Sequence, residues 1–279
     1  FIAFGLLAGA GCSENGKSQS AASGQSQDSP RREQTRETQT TGNDAGLNSY
    51  RFEPKRYNVL LVTVDTLRYD RLGIYSDKYV KTPNIDAFAR KSLVFTRAFS
   101  HNPVTLPAHT NILTGVTPRY HGISDNTGFR LHDRFLTIAE FLKAQSYRTA
   151  AFIASFPLDS RFGLHQGFDF YDDNYGTHNT LEFFFVERRA EEVVKPALQW
   201  LKNQTADTPW FSWIHLFDPH QPYLPPAPYR EQYKDDLYSG EVAYLDAAVG
   251  PLFRFLETSG RMNDTVVIIT GDHGEALGE

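Results

Sequence analysis

Two short apolar runs, each ending in an aspartate, constrain this chain more than any other feature of it. Tyr57-Asn58-Val59-Leu60-Leu61-Val62-Thr63-Val64 is β-branched, apolar and brief, the pattern of a strand buried on both faces, and Asp65 stands at its carboxyl end. Thr265-Val266-Val267-Ile268-Ile269-Thr270 repeats the pattern and runs into Gly271-Asp272-His273-Gly274. A third apolar segment, 210–217, ends at Asp218-Pro219-His220. Strands of this kind belong to parallel sheets covered by helices, and such sheets bind ligands just beyond the carboxyl ends of their strands. The acidic and imidazole side chains therefore fall where a ligand is expected.

The spacing of apolar residues predicts helices at 85–91, 107–113, 136–145, 190–202 and 240–258, alternating with strands near 58–64, 93–96, 148–154, 210–217 and 265–270. That alternation makes the fold class α/β, with a mainly parallel central sheet and helices on both faces. At 279 residues with 40% hydrophobic content, the chain is long enough for one large core. A formal charge of -5 supplies no basic field, which argues against nucleic acid as a partner.

The run Val104-Thr105-Leu106-Pro107-Ala108-His109, continuing through Thr114-Gly115 and Pro118 to His121-Gly122, adds a hydroxyl. Pro107 suits the first turn of a helix, which would leave Thr105 beside free N–H groups that favour an anion. A threonine hydroxyl stays protonated at neutral pH. A divalent cation lowers its pKa and neutralises the oxygens of a sulfate or phosphate ester. Asp65, Asp272, His273 and Thr105 are thus candidate cation ligands, with Thr105 also the candidate nucleophile. Asp218, His220, His109 and His121 are candidates for contact with substrate, His220 also as proton donor to the leaving oxygen, and Arg68 for supporting the carboxylates. Each has a plainer role open to it. Asp65, Asp272 and His273 would otherwise cap loops or helices, and Thr105 would be a helix N-cap. Asp218 and His220 would form a polar turn, His109 and His121 would satisfy a backbone carbonyl, and Arg68 would make a surface ion pair. His101, His132, His165, His178 and His215 show no ligand spacing.

Several separated motifs, in order, resemble the sulfatases of the alkaline phosphatase superfamily from about Arg56 onward. They are Asn58 to Asp65 with Thr66-Leu67-Arg68, Thr82-Pro83-Asn84-Ile85-Asp86, the Thr105 run, Pro118 with His121-Gly122, Tyr147 with Thr149-Ala150, Asp218-Pro219-His220-Gln221-Pro222-Tyr223, and Asp272-His273-Gly274. The resemblance implies an alkaline-phosphatase-like sheet, a bound calcium and hydrolysis of sulfate or phosphate esters, from small molecules or glycans. The departures matter as well. Typical sulfatases carry Cys or Ser, converted to formylglycine, where this chain has Thr105, and Arg where it has His109. A threonine there is similar to the nucleotide pyrophosphatase and phosphodiesterase relatives, which react through a phospho-threonine. The family's Gly-Lys-Trp-His run after Tyr147 is replaced by Ala151-Phe152-Ile153-Ala154. His273, where Asn is common, and Thr66, where a second Asp is common, shift the expected cation from calcium toward zinc or manganese. Two rival readings are a phosphoethanolamine-type transferase and a catalytically inactive sulfatase-fold binding protein.

Residues 1–12 are small and apolar up to the single cysteine, Cys12, and resemble the end of a bacterial lipoprotein signal, with Gly9 where Leu is usual. A short Sec-cleaved or membrane-anchored leader is the alternative. Either implies export to the cell envelope, and in the lipoprotein reading the membrane is engaged only through lipid at Cys12. Residues 13–50 are polar and charged with almost nothing apolar, the composition of a disordered tether, leaving 51–279 as the catalytic domain. The resemblance further implies that a carboxyl-terminal part of the domain is missing after Glu279.

Overall fold

The structure, a computed structural model, describes residues 3–5, 55–175 and 187–279. Cys12, the segment 13–50 and His178 lie outside the described residues. Among the described residues, seven strands form one sheet: β1 (Ala3–Gly5), β2 (Asn58–Val64), β3 (Leu93–Val94), β4 (Arg148–Phe152), β5 (Phe170–Asp172), β6 (Trp210–Leu216) and β7 (Thr265–Gly271). Their order is β3-β1-β7-β2-β6-β4-β5. The five strands from β7 to β5 are mutually parallel, and β1 runs antiparallel to both β3 and β7. The helices are α1 (Pro83–Ala89), α2 (Thr105–Thr114), α3 (Pro118–His121), α4 (Ile138–Ala144), α5 (Ala190–Lys202), α6 (Tyr229–Gln232) and α7 (Leu237–Thr258). None of the described helices is long and apolar enough to cross a membrane.

Successive side chains of a strand point to opposite faces, so each central strand feeds two cores. Leu60, Val62 and Val64 of β2, with Ile214 and Leu216 of β6, pack under α1, α5 and α7. Leu61, Phe211 and Trp213 pack on the other face with Leu106 and Leu113 of α2 and Ala139 of α4. Helices cover both faces, as the alternation of elements predicts. Local sequence fixes their ends. Thr137 and Glu140 form a reciprocal capping box at the start of α4, Asp236 accepts from Ser239 N to start α7, and α2 stops at Gly115, whose φ of 68 suits glycine.

The predicted strand at 93–96 shrinks to two residues and that at 148–154 ends at Phe152. Strands β1 and β5, three residues each, are too short to show a period of two.

Candidate metal centre

Register and parity bring the functional side chains together. Thr63 of β2 stands opposite His215 of β6 and Thr270 of β7. The ladder continues one step beyond each strand: Asp65 N donates to Leu216 O at 2.9 Å, and Asp272 N donates to Val64 O at 3.2 Å. Asp65 shares the face of Leu61 and Thr63, and Asp272 that of Ile268 and Thr270, so both carboxylates emerge on the α2 side at the carboxyl edge.

There, ligand atoms of Asp65, Asp272 and His273 all lie within 4.8 Å of one another. His273 Nε2 is 3.6 Å from Asp65 Oδ1 and 3.4 Å from Asp272 Oδ2. Ligands bound at about 2.1 Å in a tetrahedron, or at about 2.4 Å in an octahedron, stand about 3.4 Å apart, so these separations are those of a shared divalent cation. Hydrogen bonding tells the same story. Both oxygens of Asp65, Asp272 Oδ2, His273 Nε2 and the Thr66 hydroxyl are buried without a partner. Buried polar groups are rarely left unpaired, because each costs about 1–3 kcal/mol. The residues therefore fit a cation, and the donor set of two carboxylates and an imidazole suits zinc or manganese as well as calcium.

The surroundings aim these ligands. Thr66 adopts φ 53, a left-handed conformation unusual for a β-branched residue. It turns its amide onto Asp272 Oδ1 at 3.1 Å, and its carbonyl accepts from Tyr238 Oη at 2.7 Å. His273 N also donates to Asp272 Oδ1, at 2.6 Å, which leaves Oδ2 as the oxygen facing the cluster. His215 accepts from Ala154 N at Nδ1, so its Nε2–H points at Asp65 Oδ2, 3.5 Å away. Burial opposes ionisation of Asp65, but the neighbouring imidazoles of His215, His273 and His220 outweigh it and hold this carboxyl below its usual value. Burial and the adjacent charge of Asp65 push Asp272 well above its own.

Helix α2 begins at Thr105, with Val104 as its N-cap residue, so Thr105 is the first helical residue rather than the cap. Its carbonyl accepts from His109 Nδ1 at 2.8 Å, and that same nitrogen lies 3.5 Å from Asp272 Oδ2. The helix start is thereby tied to the acidic cluster through one imidazole.

Other predicted residues do different work. His109 is fully buried, and its second nitrogen meets Thr63 Oγ1 at 3.0 Å, so both ring nitrogens are spent inside the fold. Burial, then the nearby His215, lowers its pKa to about 3. His121 donates from Nε2 to Asn111 Oδ1 at 2.7 Å and accepts at Nδ1 from Ile123 N at 3.0 Å, bracing the end of α3 against α2. Neither ring has a nitrogen left for substrate, which corrects the expectation for both. Arg68 does not support Asp65 or Asp272. Its guanidinium forks onto Asp70 at 2.9 Å and reaches Glu279 at 2.6 Å. Asp218 Oδ1 accepts from Ala190 N at 3.1 Å, capping α5, while its Oδ2 is buried and unpaired. His220 stacks on Phe217 with ring centres 4.2 Å apart, and its Nδ1–H donates to Gln221 O, leaving Nε2 open. His215, to which the sequence assigns no role, stands directly beside Asp65. Strand parity would have found it, since it lies two residues beyond Trp213 on a strand neighbouring β2.

Comparison with known proteins places this arrangement. A family model described as Sulfatase matches residues 57–279. The ulvan-active sulfatase of Formosa agariphila is 27% identical over 267 residues, covering 81% of this chain and 52% of that protein. Human iduronate 2-sulfatase is 26% identical over 307 residues, covering 80% and 55%. Among solved structures, the phosphonate monoester hydrolase of Agrobacterium radiobacter superposes with a TM-score of 0.67 at 22% identity, covering 80% of this chain and 64% of that one. The chain spans about half the length of the curated relatives it matches. With the family model running from the start of β2 through the Asp272-His273 turn, the chain belongs to the sulfatase family.

Proposed function

We propose that this chain carries the nucleophile and cation-binding part of a hydrolase of sulfate or phosphate esters. The observation that carries the reading is the set of buried, unpaired ligand atoms of Asp65, Asp272 and His273, with the Thr105 carbonyl bonded to His109 beside Asp272. A divalent cation held by Asp65, Asp272 and His273 supplies positive charge to the anionic ester and lowers the pKa of the Thr105 hydroxyl. Thr105 Oγ attacks sulfur or phosphorus in line, the bond to the leaving oxygen breaks, and that oxygen takes up a proton. We assign that donation to His220. Its open Nε2, on a ring fixed by Phe217 and Gln221, delivers that proton when the imidazole is charged. Water then cleaves the threonine ester and restores the hydroxyl. In a phosphoethanolamine-type transferase an alcohol replaces that water, and an inactive binding protein stops before the first step.

Relatives named for ulvan and for iduronate 2-sulfate suggest a sulfated glycan as the substrate class. Export belongs to the same proposal, with cleavage before Cys12, lipid on its thiol, 13–50 as tether and 51–279 as the catalytic region. Mass spectrometry of the mature amino terminus reads that directly. For the chemistry, the full-length protein is assayed on an aryl sulfate, a phosphate monoester and a phosphodiester, with and without chelator and with an added alcohol. Turnover that chelation abolishes and a divalent cation restores is expected. Turnover indifferent to chelation defeats the reading.

A further inference from the structure

Beneath the cation ligands runs a hydrogen-bond chain that the proposed reaction does not use. Trp213 Nε1–H donates to Thr63 Oγ1 at 2.9 Å, and an indole nitrogen can only donate. The Thr63 hydroxyl is therefore an acceptor on that side, with one proton left to give. Its other neighbour is His109 Nε2, 3.0 Å away. Across the ring, His109 Nδ1 lies 2.8 Å from the Thr105 carbonyl, which can only accept, so Nδ1 carries the ring proton. A single arrangement satisfies every member: Trp213 to Thr63, Thr63 to His109, His109 to Thr105. Trp213, Thr63 and His109 are each 0% exposed, so water cannot substitute for a missing partner. The opposite tautomer would set two lone pairs against each other at the Thr105 carbonyl and would leave the Thr63 hydroxyl accepting from both neighbours, its own proton without this acceptor.

We propose that Trp213 and Thr63 hold His109 as its Nδ1–H tautomer, and that His109 thereby positions the first turn of α2, with Thr105, against Asp272 without taking part in proton transfer. Thr63 and Trp213 are positioning residues two steps removed from the reacting atoms. This rests on the reading of Thr105 as nucleophile, but its physical content is the state of one ring.

Ring-nitrogen NMR of the histidine-labelled full chain tests it. The His109 ring is expected to show a proton-bearing Nδ1 and a bare Nε2. Thr63→Val removes the donor to Nε2, so the ring signals should shift toward the other tautomer while kcat falls about 10- to 100-fold, as for other orienting partners of a site, with KM little changed. Thr63→Ser keeps the hydroxyl and should restore both readouts. A wild-type ring protonated at Nε2, or a Thr63→Val protein with unchanged ring signals and kcat, overturns the proposal. Should Thr63→Val fail to fold, the wild-type spectrum still decides. Full turnover in Thr105→Ala would defeat the nucleophile reading while leaving that spectrum as it is, so the two ideas fail separately.

Discussion

The two faces of the sheet use the same strands and differ along their length. Under α1, α5 and α7, β2 presents Leu60, Val62 and Val64, and β7 presents Val267 and Ile269, apolar beyond the Asn58 and Thr265 pair at the amino ends. Under α2, β2 presents Leu61, then Thr63, then Asp65, while β7 presents Ile268, then Thr270, then Asp272. Strand β6 passes likewise from Trp213 to His215. The first face is an ordinary dry core. The second becomes more polar rung by rung: Thr63 is paired with Trp213 and His109, His215 Nε2 is buried without a hydrogen-bond partner, and at the last rung both Asp65 oxygens and Asp272 Oδ2 are left unpaired. One face thus holds the fold together, and the other spends part of that stability on a site that only a ligand completes.

The sharpest way to break this division is to remove a charge from the last rung. Asp272→Asn should abolish cation binding and lower turnover by more than about 10³-fold, since cation and activated hydroxyl are lost together. The metal-free Asp272→Asn protein should melt higher than the metal-free parent, because a buried carboxyl beside Asp65 is gone. Metal analysis and thermal melts measure the two, and a variant that keeps its metal would place the ligands elsewhere. Thr105→Ala is the complementary cut. Loss of a nucleophile costs a comparable factor of more than about 10³, but cation content should stay intact, because the three ligand atoms come from the strand ends.

On the dry face the expected outcome is inverted. Leu60 is 0% exposed, and Leu60→Ala should cost about 2–5 kcal/mol of stability, as other large-to-small core changes do. Cation stoichiometry should not change, so urea unfolding and metal analysis together test whether the faces are separable. A smaller effect is expected from pH. Burial pushes Asp218 up to about 7 and Glu241 up to about 9, each with one oxygen bonded to a backbone amide and the other unpaired. Their unfolded values are about 3.9 and 4.3. The folded chain therefore binds more protons than the unfolded one between those limits, and the stability these groups contribute is full below about pH 4 and falls as pH rises toward 9. Melts taken from pH 6 to 9 should decline, and Glu241→Gln should flatten the decline. A Glu241→Gln protein with an unchanged slope would assign the effect to another group.

Much of this division is legible in the sequence, and the reason is geometric. A parallel strand buried on both faces advertises itself as an apolar run, and a parallel sheet puts ligands at its carboxyl ends, so Asp65 and Asp272 can be placed without coordinates. Helix α5 is readable to the residue because its apolar period is strong. What sequence alone does not give is partnership. His109 and His121 look like His273 in the chain, yet two have both nitrogens satisfied and one does not, and only packing decides which. Arg68 sits three residues from Asp65 but turns to Asp70 and Glu279, since the left-handed turn at Thr66 redirects the chain. His215 is hidden inside an apolar run, where a lone histidine more often fills core.

The smallest expected effect concerns the edge of the sheet. Backbone pairing places residues 3–5 between β3 and β7, through three register pairs with β7 and two with β3, whereas the proposal of export has residues 1–11 removed before Cys12. Both hold if β1 adds little. Its hydrogen bonds exchange for bonds to water on removal, and a net loss of about 1 kcal/mol shifts the melting temperature of a domain this size by about 2–4 °C. A chain beginning at Cys12 should therefore melt within that range of the longer one and keep its cation. A drop several times larger would make β1 part of the folded enzyme and remove the ground for cleavage at that cysteine.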